Sequence, residues 1–383
     1  MVQPRPQPAA VESCWLPRTD TYEDESGTRL HFANLVLTNA RFSLVVTLLV
    51  LGQIACRSQW PWPPHQVGFI SLRETNPWVK ELVAGTDNNI FFITTAPNSL
   101  DNVIGRMTPD GTATVFPQAA SLHLGINGLA SAPDGVIWFT GVQRGPHPVH
   151  AIYRMSPSGA LTQYTISTPH AFPQDIAVGS DGSVWFAETS ADRIGHLTPD
   201  GRLREYAIPH APGTHPEPWR IALGFDGNVW FTLTLGDAIG RITPRGEVTE
   251  FAVPTPGSRP LGIVAGPDGN IWFTESAANK IARITPSGEI TEFSSPAIND
   301  SPHSIAAGLR NDLWFCEIGW MGRITVDGHA SVRGDPGGGT CASIIEDKSG
   351  NVWSTQNLGP GPWRFAGPAH GVVAKFMARD WPD

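Results

Sequence analysis

A repeat of about 44 residues runs through most of this chain and restricts its fold more than any other feature. Each copy is marked by an aromatic residue that follows a turn-forming stretch. Successive anchor residues lie 47, 47, 45, 42, 42 and 39 residues apart. The anchors are Phe91, Trp138, Trp185, Trp230, Trp272, Trp314 and Trp353. The fold must therefore accommodate seven similar units in series.

Each unit is predicted to contain four short strands, which we call a to d in chain order. In the best-preserved unit the strands are expected at 263–265, 270–274, 280–284 and 289–293. Asp268-Gly269 and Ser287-Gly288 supply residues that tolerate the positive φ of tight hairpins. Four strands per period of this length are typical of a propeller blade. The recurrent Trp then fits as a wedge between neighbouring blades.

The last unit lacks a fourth strand, while a strand-like segment at 67–74 stands alone before the first unit. Pairing this segment with the last blade closes the ring and leaves no open edge. We therefore predict an all-β, seven-bladed β-propeller of four-stranded blades over 67–377, with a tail at 378–383. The blades are expected near 78–117, 121–166, 168–208, 209–253, 255–296, 297–334, and 335–377 plus 67–74. A β-sandwich would not explain so regular a period.

The first 56 residues are expected to precede the propeller as an extension with a signal-peptide-like segment. The apolar run 42–51 is too short for an ordinary membrane span and typical of a signal peptide. It leads to Ala55-Cys56, as in a lipoprotein signal, although Gln53 departs from that pattern. Residues 57–66 resemble a Pro-rich linker. We expect export, with the protein periplasmic, extracellular or lipid-anchored at Cys56; a plain signal peptide or short membrane anchor is the alternative.

Composition limits the classes of partner. The formal charge is −9 and only 16% of residues are charged, which argues against nucleic acid as a ligand. The 40 Gly and 35 Pro argue against coiled coils and long helical bundles. A hydrophobic fraction of 40% excludes a wholly disordered chain. We expect a monomer with a small ligand.

Function is expected on one face of the propeller, called here the upper face. On it the loops joining strand d to the next strand a meet the ends of strands b, around the mouth of the central channel. Loops on a rigid scaffold often carry binding and catalytic groups. One position per blade forms a mouth ring of Lys80, Asn127, Gln174, Trp219, Leu261, His303 and Ala342. The other, at the end of strand b, holds Thr94, Gly141, Glu188, Leu233, Glu275, Glu317 and Gln356.

His303 and Glu317 are the candidate catalytic residues. They belong to the same blade, His303 at the channel mouth and Glu317 at the end of strand b. A histidine and a carboxylate converging there could form a general base with its orienting partner, or half of a metal site. The other histidines of these loops are more simply explained as polar surface residues; they are His123, His170, His210 and His215.

Cys316 and Cys341 fall in blades 6 and 7 on the same predicted face. In an exported protein they could form a disulfide. Two buried thiols are the alternative, and the sequence does not choose between them.

The blade motifs resemble those of the virginiamycin B lyase (streptogramin B lyase) family. They are best preserved in Pro267-Asp-Gly-Asn-Ile-Trp-Phe-Thr-Glu275 and in the stretch from Asn279 to Gly288. The resemblance covers all seven blades and is strongest in blades 3 to 6. It implies a carbon–oxygen lyase that linearises cyclic depsipeptide antibiotics by elimination. A base would remove the proton α to a carbonyl, and Mg²⁺ would stabilise the enolate.

The family pattern, carried over residue by residue, matches at one point and departs at three. It places a Pro-His before strand a of the sixth blade, which His303 matches. It also places Glu-Pro-His before strand a of the last blade and a Glu after that blade's strand b. Here Ala342 replaces the expected base, while Thr340 and Asn357 replace the expected carboxylates. Because none of these residues can act as a base or an anionic ligand, the catalytic residues of the last blade are interpreted as lost.

Three hypotheses follow. One is a divergent lyase whose chemistry has moved to His303 and Glu317, acting on a cyclic ester or a related secondary metabolite. The second is a non-catalytic exported propeller that binds a peptide, glycan or protein on its d–a loop face. A weaker third is a lactonase-like propeller with a metal in the channel, but few carboxylates line the predicted channel.

Overall fold

The computed structural model describes residues 68–71, 79–96, 101–297, 301–334, 341–357, 371–378 and 381. The expected signal segment, Cys56 and the Pro-rich linker lie outside the described residues, as do Thr340 and the side chain of Asn357.

Seven four-stranded antiparallel sheets make up the described part of the chain. The first strand, β1 (Gly68–Ser71), is the outermost strand of blade 7. Blade 1 contains β2 (Val79–Ala84), β3 (Ile90–Thr95), β4 (Asn102–Met107) and β5 (Ala113–Phe116). Blade 2 contains β6 (Leu124–Ser131), β7 (Ile137–Gln143), β8 (Val149–Met155) and β9 (Leu161–Thr165). Blade 3 contains β10 (Pro173–Val178), β11 (Val184–Glu188), β12 (Arg193–Leu197) and β13 (Leu203–Ala207).

The remaining blades follow the same order. Blade 4 contains β14 (Pro218–Leu223), β15 (Val229–Leu233), β16 (Ala238–Ile242) and β17 (Val248–Ala252). Blade 5 contains β18 (Pro260–Ala265), β19 (Ile271–Glu275), β20 (Lys280–Ile284) and β21 (Ile290–Ser294). Blade 6 contains β22 (Ser304–Ala307), β23 (Asp312–Glu317), β24 (Trp320–Thr325) and β25 (Ala330–Gly334). Blade 7 contains β26 (Ile344–Glu346), β27 (Asn351–Asn357), β28 (Gly371–Met377) and β1.

The ring is closed by the two ends of the chain. Strand β1 pairs antiparallel with β28, with Phe69 opposite Ala374. Blade 7 thus takes three strands from the C-terminal part and its outermost strand from the N-terminal part. The prediction of a closed seven-bladed ring is confirmed.

Large aromatic side chains pack between neighbouring blades, as the repeat predicted. Trp272 of blade 5 is fully buried against Ile305 and Phe315 of blade 6. Trp314 of blade 6 packs in the same way with Ile344 of blade 7. Burying a side chain of this size contributes roughly 1.5–3 kcal/mol or more to stability. The interblade aromatic residues are therefore a main source of cohesion.

In blades 1, 3, 4 and 6 a glycine in strand c makes room for the phenylalanine that follows the anchor residue in strand b. At Gly195 an added Cβ would lie 2.0 Å from the Phe186 ring, so any side chain would collide with it. Gly322 stands in the same relation to Phe315. This packing explains why Ile-Gly-Arg recurs in the sequence at Ile104-Gly105-Arg106 and Ile239-Gly240-Arg241.

Helical structure is slight. The helix α1 (Gln118–Ser121) lies between blades 1 and 2, and a 3-10 turn (Thr189–Ala191) follows β11. Within the described ranges, no helix has the length and apolar character to cross a bilayer. Trp381, in the expected tail, is buried and packs edge-on against Trp314 with ring centres 5.0 Å apart.

Candidate functional site

Carboxylates in the b–c turns fix the loops of the upper face. Asp192, in the left-handed region at φ 51°, accepts a hydrogen bond from the Glu217 backbone N–H at 3.1 Å. Asp237 accepts hydrogen bonds from the N–H groups of Gly257 at 2.7 Å and Arg259 at 3.1 Å. Each of these two turns thus ties down the loop that enters the next blade.

Several of the loop histidines take part in the same tethering. His123 Nδ1 lies 3.0 Å from an oxygen of Asp101, and His215 Nδ1 lies 2.9 Å from Asp192 Oδ2. His210 Nε2 is 3.9 Å from the same oxygen of Asp192. These contacts hold loops in place, which agrees with the simpler explanation for these residues.

His303 sits at the channel mouth with both ring nitrogens directed at backbone carbonyls. Its Nδ1 lies 2.9 Å from the Ser301 oxygen, and its Nε2 contacts the Cys341 oxygen. A neutral imidazole carries one N–H and one lone pair, and a carbonyl oxygen can only accept a hydrogen bond. In this arrangement neither nitrogen offers a lone pair to a ligand. His303 must leave the Cys341 carbonyl before it can act as a base.

Glu317 ends β23 at the upper edge of the same blade and has no exposed surface. Next to it Ile318 and Trp320 are 53% and 38% exposed and form part of the rim. The structure therefore places both candidates at the upper end of blade 6, one at the mouth and one enclosed within the blade. A ligand on the rim would touch Trp320 before it reached the Glu317 carboxyl group.

Cys316 and Cys341 form a disulfide, with their Cα atoms 5.6 Å apart. Of the two alternatives left open by the sequence, the structure has the bonded form. The bond joins the end of β23 in blade 6 to the entry of blade 7. It also anchors the residue whose carbonyl faces His303.

Hydrogen bonds from backbone N–H groups to side-chain hydroxyl oxygens hold the segment that enters blade 7. The N–H groups of Ala342 and Ser343 donate to Thr355 Oγ1 at 2.9 and 3.0 Å. Ser343 Oγ accepts a hydrogen bond from the Leu82 N–H of blade 1 at 3.1 Å. Ala342 itself brings no ionisable group to the mouth. Across the part of the chain that the structure describes, no cluster of three or more His, Cys, Asp or Glu side chains could hold a metal.

Below the mouth ring, an ion-pair cluster joins strands a of three blades. Arg220 Nη2 lies 2.7 Å from Glu81 Oε2, and Arg220 Nη1 lies 3.3 Å from Asp175 Oδ1. These residues belong to blades 4, 1 and 3. Because blades 1 and 4 face each other across a seven-bladed ring, the Arg220–Glu81 pair spans the central channel. Although burial lowers the pKa of Arg220, the Glu81 and Asp175 charges raise it overall.

This cluster was not predicted, because its residues belong neither to the mouth ring nor to the ends of strands b. The residues that directly follow those of the mouth ring would have indicated it. They are Glu81, Gly128, Asp175, Arg220, Gly262, Ser304 and Ser343. Three charged residues at inward positions of buried strands were the available signal.

The sequence profile of the virginiamycin B lyase family matches residues 70–360, which include blade 6 and strands β26 and β27 of blade 7. The chain belongs to the virginiamycin B lyase family. The resemblance inferred from the blade motifs is therefore confirmed.

Solved structures and a curated relative agree with this membership. Virginiamycin B lyase from Staphylococcus aureus is 31% identical, with a TM-score of 0.67, and the match covers 82% of this chain and 99% of that chain. A catalytically inactive histidine-to-alanine variant of that enzyme, with quinupristin, is 30% identical with a TM-score of 0.69 and the same coverage. Virginiamycin B lyase from Nocardia farcinica is 34% identical over 110 residues, 29% of this chain and 35% of that protein. The aligned segment thus spans about a third of the Nocardia relative.

Proposed function

We propose that this virginiamycin B lyase family member binds a cyclic peptide or related small ligand at its channel mouth without catalysing the family's carbon–oxygen elimination. Ala342 carries the proposal, since the family pattern implies a histidine base at its position. In the Staphylococcus aureus enzyme a histidine-to-alanine variant is catalytically inactive. Loss of a positioned general base costs about 10²–10⁴-fold in rate.

His303 does not compensate for this replacement in the arrangement described above. Elimination needs a base with a free lone pair within hydrogen-bond reach of the α-proton. The His303 nitrogens face the carbonyls of Ser301 and Cys341 instead. The alternative, a divergent lyase using His303 and Glu317, would require both side chains to move.

The described residues also do not fit the family's Mg²⁺. Bound Mg²⁺ would supply stabilisation of the enolate, and it is usually held through carboxylates. Neither Thr340 nor Asn357 can supply a carboxylate at the family's positions. Among the described side chains, no group of three or more His, Cys, Asp or Glu residues is placed to hold a metal.

The mouth ring supports ligand binding rather than chemistry. Asn127 and Gln174 offer hydrogen-bonding groups, while Trp219 and Leu261 offer partly exposed apolar surface. Small-ligand sites commonly combine apolar walls with a few polar groups. Lys80 is the cation of this ring, and its Nζ lies 3.3 Å from Asn102 Oδ1. A cyclic peptide, with amide groups and apolar side chains, has the complementary chemistry.

We also propose that the protein is exported and acts as a monomer. The apolar run at 42–51 and Ala55-Cys56 support export, with or without a lipid on Cys56. Mass spectrometry of the protein isolated from its native host tests this. An intact chain beginning at Met1 in the cytoplasm would contradict export.

Purified protein incubated with a streptogramin B antibiotic and Mg²⁺ tests the proposed function. Binding is followed by calorimetry and ring opening by liquid chromatography with fragment-ion analysis. Elimination gives a linear isomer of unchanged mass, whereas hydrolysis adds the mass of one water. We expect binding without ring opening, and some opening after Thr340→Glu, Ala342→His and Asn357→Glu are combined. Turnover by the unaltered protein that is lost in His303→Ala would favour the divergent lyase.

A further inference from the structure

Two carboxyl groups meet near the upper edge of blade 3. Glu188 ends β11 and has no exposed surface. Glu205 lies on β13, opposite Gly195 of the intervening strand, and Gly195 in turn lies opposite Phe186. Since Phe186 and Glu188 are two residues apart on one strand, the side chains of Glu188 and Glu205 project from the same face of the sheet.

The loop arriving from blade 2 holds one side of Glu205. Ser167 Oγ donates to Glu205 Oε2 at 2.9 Å, and Thr168 donates to Glu205 from both its backbone and its side chain. Among the residues that the structure describes, no N–H or hydroxyl group donates to Glu205 Oε1 or to either oxygen of Glu188, and the two carboxyl groups lie within hydrogen-bonding reach of each other. Buried carboxylate oxygens without donors are costly, so such a group requires an explanation.

Blade 5 carries the same pair of carboxyl groups and adds a cation. Glu275 and Glu292 stand at the equivalent positions. There Lys280 Nζ lies 2.6 Å from Glu292 Oε2 and 2.7 Å from Thr255 Oγ1. Lys280 is the residue opposite Glu275 in the strand register. The fold itself thus shows where a positive charge fits beside this pair.

Blade 3 has a cation at the equivalent position, but it does not contact the carboxyl groups. The residue equivalent to Lys280 is Arg193, which lies opposite Glu188. Among the ion pairs of the described residues, none joins Arg193 to Glu205 or to Glu188. Burial, followed by the nearby Glu205 charge, raises the pKa of Glu188 to about 8, while the Arg193 charge opposes the shift. The blade 3 pair therefore lacks the direct cation contact that its counterpart has in blade 5.

We propose that Glu188 and Glu205 bind a hard cation of the calcium class, in the position that corresponds to the Lys280 ammonium of blade 5. Carboxylate and hydroxyl oxygens are the ligands such a cation prefers, and Ser167 Oγ adds a third donor residue. Ca²⁺ accepts irregular oxygen sets, whereas Mg²⁺ requires near-octahedral geometry and retains several waters. The enclosed Glu188 favours the ion that dehydrates more readily. The bound cation ties the loop leaving blade 2 to the sheet of blade 3.

Calorimetric titration of the full chain with CaCl₂, after removal of metals by chelation, tests the proposal. We expect one Ca²⁺ per chain and a higher unfolding temperature in its presence. Glu188→Gln keeps the shape of the side chain and should weaken binding at least about tenfold. Glu275→Gln, the matched change in blade 5, should alter Ca²⁺ affinity by less than about twofold. Circular dichroism confirms that both variants are folded.

A second variant tests the same position by supplying a cation instead of removing a carboxylate. Arg193→Lys gives blade 3 the residue that blade 5 uses, so its ammonium should occupy the cation position. We expect this variant to lose the calcium response and to be more heat-stable than the calcium-free parent. Absence of calcium binding in the parent, or an affinity unchanged by both Glu188→Gln and Arg193→Lys, would overturn the proposal. In that case a shared proton alone would link the two carboxyl groups.

Discussion

Blades 5 and 7 are alike on the lower face of the propeller, where strands a and b are joined. Asp268 Oδ1 accepts a hydrogen bond from the Trp272 indole at 3.0 Å in blade 5. Asp347 Oδ2 accepts one from Trp353 at 2.8 Å in blade 7. Both tryptophans are fully buried. Both blades thus contain the residues that pack one blade against the next.

The two blades differ on the upper face. Strand a of blade 5 is six residues long and contains a register shift between Pro260 and Ile263. Strand a of blade 7 has three residues, and a disulfide to blade 6 precedes it. In the proposed function this is where Ala342 stands in place of the family's base. Folding depends on the lower turns and the interblade aromatic residues, so the upper loops can change without loss of the propeller.

The largest effect is expected from opening the ring. Blade 7 is built from both ends of the chain, whereas blade 5 is continuous. Deleting 68–71 removes β1 and exposes the edge of β28. We expect loss of a single cooperative unfolding transition, measured by urea denaturation. A deletion variant with an unchanged midpoint would show that β1 does not close the ring.

The second prediction tests whether the lower halves of the two blades are equivalent. Trp272→Ala and Trp353→Ala each remove a fully buried ring, so each should lower the free energy of unfolding by about 3–5 kcal/mol. The two losses should agree within about 1 kcal/mol. A much smaller loss for Trp353→Ala in urea denaturation would mean that blade 7 is loosely packed throughout.

The third prediction concerns the upper face alone. The Cys316–Cys341 disulfide spans 25 residues of chain, and its removal should lower the free energy of unfolding by about 2–4 kcal/mol. The double change Cys316→Ala and Cys341→Ala tests this by urea denaturation. Peptide mapping without reductant should recover the two cysteines in one linked fragment. Free thiols at both positions would refute the bond.

The smallest effect is the pH dependence that Glu275 of blade 5 contributes. Burial, followed by the Glu292 charge, raises the pKa of Glu275 from its ordinary 4.5 to about 8. The folded protein therefore holds a proton that the unfolded chain releases between these values. Stability from this group is complete below about pH 4.5 and is lost as the pH rises through about 8.

Glu275→Gln should remove this loss, which we expect to be about 1–3 kcal/mol between pH 5 and 9. The measurement is the free energy of unfolding of parent and variant across that range. The equivalent residue of blade 7, Gln356, does not ionise and adds nothing to this pH dependence. Parallel curves for parent and variant would contradict the raised pKa.

The fold was predictable because one physical pattern recurs seven times along the chain. Anchors such as Trp272, the Asp-Gly turns and the unpaired strand at the N-terminal end together indicate the number of blades and their closure. The disulfide could be foreseen only as one of two alternatives, since sequence spacing does not determine whether two Cβ atoms meet.

The site was predictable only in part, because its contacts join residues far apart in the chain. The contact of His303 with the Cys341 carbonyl depends on how blade 7 enters the ring. The Arg220–Glu81 pair links residues from opposite blades, so no local sequence pattern indicates it. The pairing of Glu188 with Glu205 requires the register of three strands.

The central claim is that this chain keeps the family's propeller without the family's elimination chemistry. The most direct test is a side-by-side assay with virginiamycin B lyase from Staphylococcus aureus, using quinupristin and Mg²⁺. Chromatography with fragment-ion analysis follows the linear isomer. We predict that the Staphylococcus enzyme forms it and that this chain forms none above the enzyme-free control. Ring opening by this chain at a comparable rate, abolished in His303→Ala, would contradict the account.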